Sequence, residues 1–219
     1  MTTSTGTTIA IIGGHGKIGL LTSAELAASG NTVLSVIRNP DHATEVEATG
    51  ATAVVIDIET ATSEELAAAI GPVDAVIFTA GAGGGSGAER KETVDHQGAV
   101  KSLDAATEVG ASRFVIVSYL GADDPASGGD DPSMIAYQQA KAAADDAVRA
   151  SDIDWTIVRP GGLTDEPAGG VTVGDSVTSG STSRASVASA LALLVTTHPA
   201  PRTVLNIVDG DSSISDALG

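Results

Sequence analysis

Tyr137 and Lys141 are the two residues whose types and spacing point most directly to chemistry. They lie four positions apart in the Ala-rich segment Ser133–Ser151, which is predicted to be a helix, so their side chains share one face. An ammonium group beside a phenol stabilises the phenolate and lowers its pKa from about 10. Such a tyrosine can exchange a proton with an alcohol or carbonyl while hydride moves to or from a nicotinamide. The pair predicts a redox site, with Tyr137 as general acid and Lys141 as the group that tunes it.

A glycine-rich turn near the N-terminus predicts a phosphate site. The predicted strand Thr8–Ile12 leads directly into the sequence GGHGKIG at positions 13–19, which fits both G-x-G-x-x-G and G-x-x-G-x-x-G. Such glycines allow a tight turn, close approach of the backbone to a pyrophosphate, and close packing of the following helix. The first N–H groups of that helix, predicted as Lys17–Ser29, would point at the phosphates. A nucleoside-triphosphate loop is excluded because Ile18 stands where that loop requires Ser or Thr.

The end of the second predicted strand, Thr32–Ile37, indicates which dinucleotide binds. In the NAD form of this arrangement an acidic residue lies about 20 positions after the glycines and holds the ribose 2′-OH. Arg38 takes that place here, and a guanidinium pairs well with a 2′-phosphate. The sequence therefore predicts NADP(H) rather than NAD(H). Asp41, close by, is expected to cap the next helix.

Short β-branched runs alternate with longer Ala-rich segments along the chain. The predicted strands are Thr8–Ile12, Thr32–Ile37, Ala53–Asp57, Ala75–Phe78, Arg113–Val117, Trp155–Val158 and Thr203–Val208. The predicted helices are Lys17–Ser29, Ser63–Ile70, Glu89–Val109, Ser133–Ser151 and Ala185–Val195. This alternation predicts a three-layer α/β/α fold around a doubly wound parallel sheet. Residues 1–219 are expected to form one domain, in which residues 160–219 make a small C-terminal cap on the substrate side.

Several segments should meet at the carboxyl edge of that sheet, where ligands bind in such folds. Asp57, at the end of the third strand, is placed to reach an adenine. Thr79, Ala80 and Gly81, at the end of the fourth, would line the cofactor channel. The loops Gly81–Gly87 and Asp123–Pro132 follow predicted strands, so they are expected to border the substrate pocket.

Composition narrows the classes of function. The 219 residues include 28 acidic and 11 basic side chains and no cysteine, for a net charge of −17. This balance argues against nucleic-acid and anionic-membrane partners, and the missing cysteines exclude thiolate chemistry. The segment Met1–Gly6 lacks the features of a signal peptide, so a cytoplasmic location is expected. Whether the acidity reflects adaptation to salt or a solvated surface stays open.

Metal and hydrolase chemistry find no support in the spacing of candidate residues. No metal site is predicted, because ligand-like spacing is missing among the four histidines, His15, His42, His96 and His198. Ser86 lies in a glycine-rich stretch but lacks the final glycine of a G-x-S-x-G nucleophile elbow.

Taken together, these motifs resemble an atypical short-chain dehydrogenase/reductase. The glycine turn, Arg38, the strand end VIVS (115–118), Tyr137 with Lys141, and WTIVRPGGL (155–163) carry the resemblance. More specifically, the chain resembles the NAD(P)H-binding group related to biliverdin/flavin reductases and NmrA-like proteins. The resemblance implies a Rossmann-type fold. It also implies a cofactor site made of Gly13, His15, Gly16, Lys17, Ile18, Arg38, Asp57, Ile58, Thr79, Ala80, Gly81, Lys141, Pro160, Gly161 and Leu163.

The catalytic serine is where the chain departs from the family pattern. Relatives often have a Ser-Ser pair at the end of the fifth strand, whereas this chain has Ser118-Tyr119. Either Ser118 holds the substrate carbonyl, or Tyr119 replaces it, or the role is lost.

The expected function is an NADPH-preferring oxidoreductase that transfers hydride to a small carbonyl, quinone or flavin-like acceptor. A sensor that binds NADP(H) without turnover and a sugar-nucleotide epimerase or dehydratase are the alternatives. A small-molecule substrate is the expected partner, and the chain is expected to be a monomer or a homodimer.

Overall fold

A computed structural model describes residues 6–197 and 200–218. Met1–Thr5, on which most of the signal-peptide prediction depends, and His198, one of the four histidines considered as ligands, lie outside the described residues.

In the described residues, ten strands form two sheets. They are β1 (Thr8–Ile12), β2 (Thr32–Ile37), β3 (Thr52–Val55), β4 (Ala75–Phe78), β5 (Arg113–Val117), β6 (Asp154–Pro160), β7 (Gly162–Thr164), β8 (Val171–Val173), β9 (Ser181–Ser183) and β10 (Thr203–Asp209). The main sheet has the order β3-β2-β1-β4-β5-β6-β10-β8, and only β8 runs antiparallel to its neighbour. The strand order reverses between β1 and β4, which is the switch point where ligands bind in doubly wound folds.

The helices lie on both faces of this sheet. They are α1 (Lys17–Ala28), α2 (Ala43–Glu47), α3 (Ser63–Ile70), α4 (Ala88–Arg90), α5 (Ala99–Glu108), α6 (Pro132–Ala150), α7 (Arg184–Thr196) and α8 (Ile214–Leu218). A 3₁₀ turn, Pro40–His42, precedes α2, and a π-helix, Lys91–Gly98, joins α4 to α5.

Two apolar clusters cover the two faces of the sheet. One contains Leu26 of α1 and Leu191 of α7, and the other contains Leu66 of α3 and Leu103 of α5. All four residues of β4 are buried, because a parallel strand covered on both sides needs apolar residues at every position. The predicted three-layer α/β/α fold with a doubly wound sheet is therefore confirmed.

Three local predictions need correction. The third strand ends at Val55 rather than Asp57, because the Asp57 carbonyl accepts hydrogen bonds from the N–H groups of Thr60 and Ala61 and starts a turn. Asn39, not Asp41, caps the turn after β2, since its side chain accepts the Asp41 N–H at 3.0 Å. The predicted helix Glu89–Val109 is π-helical over eight of its residues.

The C-terminal segment is integrated into the main layers. Strand β10 pairs with β6, β8 pairs with β10, and α7 packs against α1. The small parallel pair β7–β9 follows β6 beyond the carboxyl edge of the main sheet. Residues 160–197 and 200–218 thus complete the sheet as well as bordering its ligand edge.

Candidate functional site

A cavity of about 740 Å³ opens at the switch point, within the size range of small-molecule and cofactor sites. Its wall continues from the glycine turn after β1, past the end of β4, to the face of α6. The sequence-predicted residues in this wall are Gly13, His15, Gly16, Ile18, Arg38, Asp57, Ile58, Thr79, Ala80, Gly81, Ser118, Tyr137, Lys141 and Leu163. The tertiary structure brings both groups of predicted residues, cofactor-binding and catalytic, to one space.

Lys17, Pro160 and Gly161 lie outside that wall. The Lys17 ammonium forms an ion pair with Asp165, and both side chains are largely exposed. Pro160 is buried at the end of β6, and a side chain at Gly161 would collide with the carbonyl oxygen of Gly180, 2.3 Å from the added Cβ. The cavity wall thus lacks these three of the predicted contacts.

The glycine turn has the geometry that a phosphate site requires. Gly13 has φ +88°, and a Cβ there would lie 2.6 Å from the backbone nitrogen of Ala80. Gly16 is the N-cap of α1 and provides no side-chain acceptor for the first N–H groups of the helix. Gly16 and Ile18 also line the cavity. Unpaired N–H groups at a helix N-terminus that faces a cavity fit a pyrophosphate.

Glu59 connects two arginines at the end of the cavity beside β2 and β3. Its carboxylate accepts hydrogen bonds from Arg38 at 3.0 Å, from Arg90 at 2.9 Å and from the Thr93 hydroxyl at 2.8 Å. Burial raises the pKa of Glu59, but these hydrogen bonds outweigh it and hold the pKa below its ordinary value. Arg38, which is predicted to bind the 2′-phosphate, is therefore already ion-paired with Glu59, and Arg90 shares the same carboxylate.

Two other residues predicted to touch the cofactor also have partners within the protein. His15 stacks on His42 with ring centroids 3.5 Å apart, and its Nε2 lies 2.7 Å from the Glu45 carboxylate. The Asp57 carboxylate accepts the backbone N–H of Glu59 at 3.0 Å, which holds the turn after β3. These contacts fix the cavity wall before a ligand binds.

Lys141 is buried beneath Tyr137 and paired with a carboxylate. Its Nζ lies 3.2 Å from Asp95 Oδ1 and donates to the carbonyl oxygen of Val117 at 3.1 Å. The other Asp95 oxygen accepts the N–H of Ala82 at 3.0 Å. The Nζ also lies 5.9 Å from the centre of the Tyr137 ring. The Val117 carbonyl accepts one of the three N–H donors of this ammonium. Asp95 Oδ1 faces Lys141 as an ion pair and has no hydrogen-bond partner, so the ammonium can still donate to a ligand.

The expectation that Lys141 lowers the pKa of Tyr137 below its ordinary value is wrong. Burial raises the pKa of the Tyr137 phenol, and the Lys141 charge only partly offsets it because Asp95 acts in the opposite direction. Burial lowers the pKa of Lys141 itself, but Tyr137 and Asp95 outweigh it and raise the pKa. Tyr137 is therefore protonated and Lys141 charged at neutral pH.

Ser118 belongs to a buried charge network. Its hydroxyl donates to Asp145 at 2.9 Å, and Asp145 accepts two hydrogen bonds from Arg159, at 3.0 and 2.6 Å. Burial raises the pKa of Asp145, although Arg159 and Ser118 oppose the rise. The Tyr119 hydroxyl instead bonds to Ser127. Ser118 lines the cavity and Tyr119 does not, so Ser118 is the better placed of the two to meet a substrate.

Sequence reasoning missed six charged residues of the site: Glu59, Arg90, Lys91, Asp95, Asp145 and Arg184. Asp145 continues the four-residue spacing of Tyr137 and Lys141 along one face of α6, and Asp95 repeats that spacing after Lys91. Those spacings were signals in the sequence that could have been used. Glu59 and Arg90 had no such signal, because tertiary packing alone joins them.

The described residues contain neither a metal-ligand cluster nor a membrane-spanning helix. Across residues 6–197 and 200–218, no group of three or more His, Asp or Glu side chains could hold a metal ion. None of the helices in those ranges is both long and apolar enough to cross a membrane.

Comparison with known proteins places this geometry in a family context. A family model described as NAD(P)H-binding matches residues 13–198. A Bacillus subtilis protein described as the uncharacterized sugar epimerase YhfK is 34% identical over 210 residues, which cover 95% of this chain and 97% of that protein.

Two solved structures share the fold over nearly the whole chain. A putative NAD-dependent epimerase/dehydratase from Bacillus halodurans is 33% identical, with a TM-score of 0.88 over 97% of this chain and 99% of that one. ChuY, an anaerobilin reductase from Escherichia coli O157:H7, is 27% identical, with a TM-score of 0.77 over 94% of this chain and 98% of its own.

Proposed function

Because the chain belongs to the NAD(P)H-binding family, we propose that it is an NADPH-preferring oxidoreductase that reduces a small carbonyl, quinone or flavin-like acceptor. The observation that carries the proposal is the single cavity whose wall includes the glycine turn, Arg38 and the pair Tyr137 and Lys141. Phosphate binding at one end and proton donation at the other are what hydride transfer to an acceptor needs.

The cofactor side of the cavity would hold NADPH through backbone and arginine contacts. The free N–H groups at the start of α1 would bind the pyrophosphate. Arg38 would pair with the 2′-phosphate, and a free donor of Lys141 would bind the nicotinamide ribose. When bound, NADPH supplies the hydride.

The protein side of the chemistry is proton transfer. Tyr137 would donate its phenolic proton to the acceptor oxygen, and its raised pKa keeps that proton in place at neutral pH. Lys141, held by Asp95 and the Val117 carbonyl, would stabilise the phenolate that forms. The O–H of Ser118 is directed to Asp145, so Ser118 would turn it to the carbonyl oxygen of the acceptor to donate, or would accept a hydrogen bond from the hydroxyl formed on reduction.

An epimerase would use the same Tyr–Lys pair but would return the hydride to its substrate. Two similar proteins carry epimerase descriptions, so this remains the second candidate. The C-terminal strands β8 and β10 are part of the main sheet rather than a separate substrate domain, which favours a small acceptor.

The test compares Tyr137→Phe with Tyr119→Phe, its matched control on the second tyrosine. Consumption of NADPH is followed by absorbance with an aromatic aldehyde, menadione and FMN as acceptors, and cofactor affinity is measured by fluorescence. Tyr137→Phe should lose about 10²-fold or more in turnover, the scale of general acid catalysis, while its affinity for NADPH stays unchanged. Tyr119→Phe should retain turnover, because its hydroxyl bonds to Ser127 outside the cavity wall.

Three outcomes would contradict the proposal. Normal turnover by Tyr137→Phe would mean that Tyr137 is not the proton donor. NADPH binding without turnover of any acceptor favours the sensor, and conversion of a sugar nucleotide without net NADPH consumption favours the epimerase.

A further inference from the structure

Lys91 is a nearly buried cation that the proposed chemistry does not use. It is the first residue of the π-helix, its exposed fraction is 6%, and it lines the cavity. Its Nζ lies 4.9 Å from the centre of the Tyr137 ring, closer than the Nζ of Lys141 at 5.9 Å. The Tyr137 ring is thus flanked by two ammonium groups.

Lys91 differs from the other Lys and Arg side chains of the cavity wall in having no carboxylate partner in the described part of the chain. Lys141 pairs with Asp95, and Arg38 and Arg90 pair with Glu59. Arg184 pairs with Asp165 in the same way. Within residues 6–197 and 200–218, the Nζ of Lys91 has no carboxylate oxygen within 4.0 Å and no hydrogen-bond acceptor.

Asp95, the acid four residues further along the π-helix, cannot serve as the partner of Lys91. Asp95 directs one oxygen to Lys141 and the other to the Ala82 N–H. Burial of a charge is unfavourable unless a counter-charge or hydrogen bonds compensate it. The contact with the Tyr137 ring provides only the weaker attraction of a cation for an aromatic face. A ligand anion would supply what the protein does not.

We propose that Lys91 binds a carboxylate on the hydride acceptor, so that the substrate class is a small carbonyl or quinone that bears a carboxylate. This inference rests on the proposed function, because it takes Tyr137 to mark the place of the acceptor. The cofactor phosphates are assigned to the start of α1 and to Arg38. One uncompensated positive charge matches a monoanion, whereas a phosphate dianion would leave excess negative charge beside the buried Asp95.

The test measures anion binding directly, without turnover. Benzoate, its neutral isostere benzamide, and phenyl phosphate are titrated into the protein saturated with NADP⁺ and followed by calorimetry. Benzoate should bind at least tenfold more tightly than benzamide to the natural protein. Lys91→Met, which keeps the length and apolar stem of the side chain, should bind the two equally. Arg202→Met removes one exposed charge outside the cavity wall and should keep the preference for benzoate.

Equal binding of benzoate and benzamide to the natural protein would overturn the proposal, as would a preference that survives in Lys91→Met. Tighter binding of phenyl phosphate than of benzoate would overturn the carboxylate assignment. If Lys91→Met does not fold by circular dichroism, Lys91→Gln replaces it, and the comparison in the natural protein stands by itself.

The two proposals fail in different ways. Normal turnover of neutral acceptors with no preference for benzoate overturns only the role of Lys91. A preference for benzoate without NADPH oxidation supports the anion site and contradicts the oxidoreductase.

Discussion

Glu59 forms ion pairs with the two arginines beside β2 and β3 before any cofactor binds. Because Arg38 and Arg90 share its carboxylate, a 2′-phosphate would replace one partner of a charge pair that already exists. The free energy gained on binding is then the difference between the new ion pair and the one it replaces, which is smaller than the strength of the new pair alone. Selectivity for NADPH at this position is therefore expected to be moderate.

Arg38→Gln tests that contribution at the scale of one residue. The substitution removes a charge-assisted contact of about 1.5–3 kcal/mol, reduced by the competing Glu59. We expect NADPH to bind about tenfold more weakly, a change of about 1.4 kcal/mol, while NADH affinity stays the same. Parallel fluorescence titrations with both dinucleotides measure the change. Arg202→Gln is the control for net charge, and equal losses for the two dinucleotides would mean that Arg38 does not read the 2′-phosphate.

The turn between β1 and α1 shows how one element meets two geometric demands. Gly13 needs a positive φ to leave the strand and has no room for a side chain against Ala80. Gly14 and Gly19 allow close packing, since a Cβ on either would lie 2.5 Å from Ser35 Cβ or the Gly13 carbonyl oxygen respectively. Gly16 is less crowded, with 3.3 Å to its nearest neighbour. The glycines therefore support the backbone of the turn as well as leaving space for a ligand.

Gly13→Ala and Gly30→Ala distinguish the cost of a positive φ from the cost of a steric clash. Both positions have a positive φ, +88° and +84°, but a Cβ at Gly30 meets nothing within 4 Å. Each substitution should cost about 1–2 kcal/mol for the left-handed backbone, and Gly13→Ala should cost more because of the clash. Urea unfolding of the two variants measures the difference, and NADPH binding should be lost only in Gly13→Ala. Equal costs would mean that the turn relaxes away from Ala80.

The π-helix is the second element that decides the site. Its wider turn places Lys91 over the Tyr137 ring and directs Asp95 to Lys141. Segments of π-helix occur frequently at functional sites, and this one carries both the paired and the unpaired charge beside the proposed proton donor.

The molecule as a whole is acidic, yet basic side chains outnumber acidic ones in the wall of its cavity. Five of the 11 basic residues, Arg38, Arg90, Lys91, Lys141 and Arg184, line the cavity beside only three acids, Asp57, Glu59 and Asp95. The excess of acidic residues that gives the chain its net charge of −17 thus lies outside the cavity wall. A positive interior in a negative protein suits anionic ligands, and the repulsion among the remaining carboxylates opposes folding.

Salt should therefore stabilise the protein. Raising NaCl from about 0.01 M to about 1 M shortens the screening length from roughly 30 Å to roughly 3 Å, so we expect the Tm to rise by several degrees. About 1 kcal/mol of relieved repulsion corresponds to roughly 2–4 °C for a chain of this size. Calorimetry measures the shift, which should shrink at about pH 5, where carboxylates approach their pKa values. A Tm that is flat or falls with salt at neutral pH would contradict this account.

Local spacing was enough to predict the fold and its family. Four strands match their predicted bounds: β1, β2, β4 and β5. A buried parallel strand is a short, nearly continuous apolar run, so its bounds are visible in the sequence. The glycine turn and the Tyr137–Lys141 spacing likewise lie within single elements. These features led to the NAD(P)H-binding family, which the comparison confirms. The roles given to the individual site residues stay predictions.

The sequence by itself determined which elements form and which reactive side chains share a helix face, since both depend on residues a few positions apart. Only the tertiary structure decided which charges are paired and which are left free. Lys17 pairs with Asp165, 148 positions away, instead of lining the cavity, and burial keeps Tyr137 protonated despite Lys141. Among the residues that the structure describes, Lys91 has no carboxylate partner, and Asp95 is directed to Lys141. Electrostatic energies depend on the distances between charges in space and on their burial, and the spacing of residues along the chain determines neither.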